Sequence, residues 1–75
     1  MTDEERTVHK TIIATYLAHF FKEEPYKIAL WLLNENPMFG GTSPAQLIAI
    51  RGDSGLKKVS QFILCAKDEN ELENK

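Results

Sequence analysis

Between Ala29 and Pro44 the chain passes from an apolar run through a cluster of turn formers into a new helix start. The stretch reads Ala-Leu-Trp-Leu-Leu-Asn-Glu-Asn-Pro-Met-Phe-Gly-Gly-Thr-Ser-Pro. It constrains the fold because one helix must stop near Asn34, the chain must reverse, and another helix must begin at Pro44. Asn36 precedes a proline and is therefore pushed towards extended backbone. Gly40 and Gly41 permit positive φ, which a tight reversal needs. Ser43-Pro44-Ala45-Gln46 supplies an N-cap, a proline at the first helical position and a capping-box glutamine. Met38 and Phe39, held between these breakers, are expected to fold back on the core. The only Trp, two of the three prolines and two of the four glycines lie here, so the rare residues serve packing and turning.

Four helices follow from this punctuation. Thr2-Asp3-Glu4-Glu5 matches a capping box, and three acids suit the positive end of a helix dipole. A first helix is expected from Asp3 to Lys22. Its apolar positions from Ile12 to Phe21 cover an arc of roughly 200°, wider than one packed face requires. Either several neighbours pack around it or it self-associates. A second helix, Pro25 to Asn34, is apolar on nearly every side apart from Lys27 and Asn34. That pattern predicts a buried central element around Trp31, whose indole N–H then needs a partner. The third helix spans Pro44 to Arg51 and ends at Gly52. The last runs from Gly55 to Asp68, capped by Asp53 or Ser54, with Leu56, Val59, Phe62, Ile63 and Ala66 on one face. Leu64 points away from that face, beside Lys57. No strand pattern, repeat or linker is present, and residues 1–75 read as a single small all-α domain, a compact bundle of about four helices. Residues 68–75 are acidic and predict a frayed or disordered tail.

A chain of 75 residues buries a modest share of its surface, and its single cysteine, Cys65, provides no internal disulfide. There is no signal peptide and no long apolar run, so a soluble, cytoplasmic protein is expected. Charge is segregated: residues 1–24 carry five acids and three bases, 25–67 two acids and five bases, and 68–75 four acids and one base. These balances of −2, +3 and −3 sum to the net −2. No strong electrostatic footprint for nucleic acid emerges.

The residue chemistry does not assemble an active site. His9 and His19 lie ten positions apart, too far along one helix to share a metal. Cys65, among Ile63, Leu64 and Ala66, reads as an inert thiol without an activating base. Gly40-Gly41-Thr42-Ser43 precedes a helix, but no P-loop lysine follows, and Ser43 is used as a cap. No catalytic residue, metal set or cofactor site is named, and an enzyme is not expected. Residues 44–67 could form a helix-turn-helix presenting Lys57, Lys58 and Gln61 to DNA, or these side chains could simply coat a solvated face.

The motif Ala29-x-Trp31-Leu32, followed by Asn36-Pro37-x-x-Gly40-Gly41-x-Ser43-Pro44, resembles the signature of the Xre/MbcA/ParS toxin-binding domain. The pattern extends through Leu47, Gly52, Val59 and Ile63 and covers about residues 25–66. The Gly-Gly-x-Ser-Pro core with its upstream Trp is moderately specific; the flanking apolar spacing is weak. The resemblance implies an all-helical bacterial antitoxin module that binds and neutralises a cognate toxin, commonly of the NAD-consuming RES type. Phe39 stands where the family often has Leu. About 24 residues precede the second helix, too few for the separate DNA-binding domain such antitoxins carry, which suggests a stand-alone short member.

The leading expectation is thus a non-enzymatic, antitoxin-like protein-interaction module. Its partner-binding surface is expected at Arg51, Lys57, Lys58 and Leu64, an outward leucine among bases on the element the family uses near its toxin. A small DNA-binding regulator using residues 44–67 is one alternative, although nucleic acid is not expected to bind this chain alone. A homo-oligomer built through the first helix is the other.

Overall fold

The computed structural model describes residues 1–66 and Leu72. The described chain forms four α-helices: α1 (Asp3–Phe20), α2 (Tyr26–Leu33), α3 (Pro44–Arg51) and α4 (Asp53–Cys65), with one 3-10 turn at Pro37–Phe39. The fold class is the expected small all-α bundle. No described helix is long and apolar enough to cross a membrane.

The local signals act where the sequence places them. The Glu5 N–H donates to Thr2 Oγ1 at 3.1 Å, and the Thr2 N–H donates to Glu5 Oε1 at 3.0 Å, completing the box that starts α1. The bond from the Thr2 N–H, and less strongly the Thr2 side chain, hold the Glu5 carboxyl below its ordinary pKa. Ser43 caps α3 by accepting the Gln46 N–H at 3.1 Å. Gly40 and Gly41, at φ 69° and 83°, reverse the chain between them. Phe39 is buried as expected, whereas Met38 stays exposed.

The centre of the molecule is α4, not α2. Helix α4 packs most extensively on α1 and then on α3, while α2 packs on α3. Leu56, Val59 and Ile63 of α4 are buried with Ile13, Leu17 and Phe21 of the α1 side and Leu47 of α3. The expectation of a buried second helix is corrected accordingly. Only Trp31 of α2 is buried, Ile28 and Leu32 are partly covered, and Tyr26, Leu30 and Leu33 are exposed. An all-round apolar helix is enclosed only if enough neighbours surround it, and so short a chain has too little structure to spare.

Two details position α4. Its N-cap is Gly52, with no side-chain cap; Asp53 lies in the first turn and pairs instead with Arg6 of α1. Gly55 faces α3 so closely that a Cβ there would lie 2.4 Å from the Leu47 carbonyl oxygen. The predicted extension of this helix to Asp68 and the predicted disorder of residues 68–75 lie outside the described residues, except for Leu72. Leu72 is fully buried in the core, in place of the solvent exposure that an acidic tail implies.

Candidate functional site

Two regions concentrate the chemistry. The first is the solvent face of α4. Lys57, Gln61 and Leu64 follow i, i+4, i+7 spacing and so share one stripe, with Lys58 about 100° around the helix. All four are exposed, and Leu64 is 46% exposed despite its size. Arg51 is exposed at the end of α3, near the start of α4. Among the described residues no carboxylate forms a salt bridge with Arg51, Lys57 or Lys58. The predicted set therefore divides between two elements: Lys57 and Leu64 share a stripe, Lys58 flanks it, and Arg51 lies across the Gly52 turn.

This face is held rigidly from behind. Ser60, fully buried, donates its hydroxyl to the Lys57 carbonyl at 3.0 Å. His9 Nδ1 lies 2.6 Å from the same hydroxyl oxygen. With the serine proton directed at Lys57, the imidazole takes the donor role. His9 therefore ties α1 to α4 and has a structural task. At the other end, Arg6 Nε donates to Asp53 Oδ1 at 2.9 Å while its guanidinium also reaches Asp3. The hydrogen bond from Arg6 holds the Asp53 carboxyl below its usual pKa, against a smaller opposing effect of burial. This pairing places the acidic first turn of α1 beside the first turn of α4, an unfavourable setting for DNA phosphate.

The second region is the turn after α2. Asn36, 5% exposed, makes full use of its polar groups. Its N–H donates to the Thr42 carbonyl, and its own carbonyl accepts from the Phe39 and Gly41 N–H groups. Its side-chain Oδ1 accepts the Met38 N–H at 2.9 Å, and Nδ2 donates to the Leu72 carbonyl at 3.3 Å. The Trp31 Nε1–H donates to the same Leu72 oxygen at 2.9 Å. The Trp31 ring stacks on Phe62 at 6.3 Å and meets Phe39 edge-on at 6.2 Å. Phe39 and Phe62 close the triad at 5.2 Å. The motif residues Leu32, Pro37, Gly40, Gly41, Ser43 and Pro44 position these groups without supplying reactive ones. An open cleft of about 320 Å³ lies alongside, lined by Phe21, Lys27, Leu30, Trp31 and Asn36 among others.

Sequence reasoning missed the partnership of Asn36, Trp31 and Leu72. The available signal was a lone leucine in the acidic run of residues 68–75. Cys65 is exposed, not embedded in an apolar setting as its neighbours suggested, because it follows Lys58 by seven positions and shares its outward side. No group of three potential metal ligands occurs among the described residues. Comparison of the chain with models of protein families, with characterised proteins and with solved structures finds no match.

Proposed function

We propose that this protein is a non-enzymatic interaction module of the kind its sequence resembles, binding and neutralising a cognate toxin of RES type through the outer face of α4. The observation that supports this reading is Leu64. A leucine that is 46% exposed, in line with Lys57 and Gln61 and flanked by Lys58, offers an apolar anchor inside a basic, hydrogen-bonding rim. The opposite face of the same helix is fully committed to the core through Leu56, Val59 and Ile63, so the two tasks are separable by mutation. Co-expression of the tagged chain with the product of its neighbouring gene tests the reading. Recovery of the complex by the wild-type chain and its loss in Leu64→Glu are the expected results. Unchanged co-purification of the Leu64→Glu chain would refute the surface assignment.

A second reading, self-association through α1, also has support. Val8 and Tyr16 are exposed, and Ile12 and Phe20 are only partly covered. They form a second apolar band beside the buried Ile13, Leu17 and Phe21, and Tyr16 and Phe20 are in ring contact at 6.3 Å. Sedimentation separates the readings: a monomer at high concentration removes this one and leaves the α4 surface untouched.

A further inference from the structure

We propose that the groove between α1 and α2 binds a free medium-chain fatty acid, with the alkyl chain between the helices and the carboxylate at Lys10. These two helices scarcely touch, because α1 packs chiefly on α4 and α2 on α3. The gap between them is a groove of about 280 Å³. One wall is a stripe of α1 at i, i+3, i+4 and i+7 spacing: Lys10, Ile13, Ala14 and Leu17. Ile28 and Leu32, one turn apart on α2, form the other wall, and both are only half-buried. Helices α3 and α4 add only further aliphatic side chains. All four helices therefore build the site, and it exists only in the folded chain.

The lining specifies the occupant. Lys10 is its single polar side chain. An extended peptide laid in the groove would find no partners for its amide groups among the other side chains. One turn of a helix about 10 Å wide already fills roughly 400 Å³, more than the 280 Å³ of the groove. A saturated chain has no hydrogen bonds to lose and gains by leaving water for aliphatic walls. By volume the groove takes roughly eight to ten carbons, each methylene filling about the share of one water. Lys10 stands at one end of the α1 stripe, about 10 Å along the helix axis from Leu17, which fixes where the polar end of the occupant lies. An ammonium donates and cannot accept, so that end carries an acceptor, and a negative charge on it adds attraction. Lys10 forms no salt bridge among the described residues. Asp53 senses the Lys10 charge but takes its hydrogen bond from Arg6 at 2.9 Å. The acidic first turn of α1, on the N-terminal side of Lys10, disfavours an anionic bilayer, so the chain belongs to a free acid and not to a lipid surface.

The probe is sodium decanoate, titrated below its micelle-forming concentration into the full-length chain with labelled isoleucine methyl groups. Saturable shifts are expected at Ile13, Ile28 and Ile48, which line the groove, and none at Ile50, which lies outside it and is 68% exposed. Acetate, which lacks the chain, is expected to shift nothing. Decanol, which lacks the charge, is expected to bind about two- to fivefold more weakly, the range for one exposed ion pair. Lys10→Gln is expected to erase that difference. Ala14→Leu, at an exposed position, fills the groove from α1 and is expected to abolish binding while helical circular dichroism is retained. Decanoate that shifts no methyl group, or shifts Ile50 as much as Ile28, overturns the proposal. So do equal affinities for decanoate and decanol, and a folded Ala14→Leu chain that binds decanoate as wild type does. If Ala14→Leu does not fold, the wild-type shifts and the Lys10→Gln comparison decide. Binding to phosphatidylglycerol vesicles without binding of free decanoate would place the contact at a membrane and overturn the free-acid assignment. The groove shares no residue with the outer face of α4, so none of these results bears on toxin binding there.

Discussion

Replacing Gly55 by alanine places helix propensity and tertiary packing in direct opposition. Alanine is favoured over glycine inside a helix by about 1 kcal/mol, so local reasoning predicts a gain. The structure predicts a loss. The added Cβ would lie 2.4 Å from the Leu47 oxygen, 2.9 Å from the Leu47 carbonyl carbon and 3.1 Å from Ile48 Cα. Ordinary contact begins at 3.4 Å, so the shortfall at the oxygen is about 1 Å. All three neighbours are backbone atoms, and no rotamer change can relieve them. Helices α3 and α4 must separate, loosening Leu47 against Leu56 and Val59. Forcing extra volume into a packed interface costs about 1–3 kcal/mol, and this clash lies at or beyond the upper end. After the propensity gain, a net destabilisation of about 2 kcal/mol or more remains, or a fall in Tm of at least roughly 8–16 °C for a domain of this size. Urea unfolding followed by Trp31 fluorescence and by helical circular dichroism measures it. Ser54→Ala, at an exposed position in the same turn, serves as the control and is expected to change stability by less than about 0.5 kcal/mol. A Gly55→Ala chain as stable as wild type would refute the reasoning.

Two further perturbations follow from the same contacts. Trp31→Ala removes the ring that contacts both Phe39 and Phe62, and one of two donors to the Leu72 carbonyl. It is expected to cost about 3–5 kcal/mol by denaturant unfolding; a stable variant deficient only in partner binding would contradict this structural role. Acid is expected to weaken the fold because Glu5, Glu24 and Asp53 all have lowered pKa values, caused chiefly by hydrogen bonds from Thr2, Tyr26 and Arg6 respectively. Each carboxyl binds its proton less readily in the folded chain than in the unfolded one. The stability they contribute is present above the ordinary carboxyl pKa of about 4 and is lost as pH falls through the lowered folded values. Melts recorded from pH 7 to pH 2 should show a decline beginning near pH 4 and reduced in Asp53→Asn, whereas stability that is unchanged or rising towards pH 2 would contradict the assignment.

What the sequence revealed depended on how local the cause was. Helix α3 is legible to the residue because Ser43, Pro44 and Gly52 act within a turn of their own positions. The capping box of α1 is legible for the same reason. Asp53 illustrates the opposite case: it looked like a cap, but its partner Arg6 is 47 positions away, and no local pattern announces that pairing. The second helix was misjudged because its composition reports what the helix prefers, while its enclosure depends on how many neighbours the chain can supply. Leu72 was hidden by its acidic surroundings, since average composition carries no information about one buried side chain. Gly55 looked like an ordinary residue near a helix start; its close approach to Leu47 exists only after α3 and α4 have packed. Of the candidate surface, the outward direction of Leu64 and Lys57 was readable from helical period alone, and the structure leaves both exposed.

Helix α4 has an inner face that holds the fold, and its outer face is the one proposed to bind a protein partner. Parallel affinity purification of tagged wild-type and Leu64→Glu chains from the native host, paired with a thermal melt of each, tests it most directly. A toxin is expected to be recovered with the wild-type chain and to be absent with Leu64→Glu, at a Tm within about 3 °C of wild type, as an exposed substitution should give. The same proteins recovered with both chains, or a Leu64→Glu chain that unfolds, would contradict it.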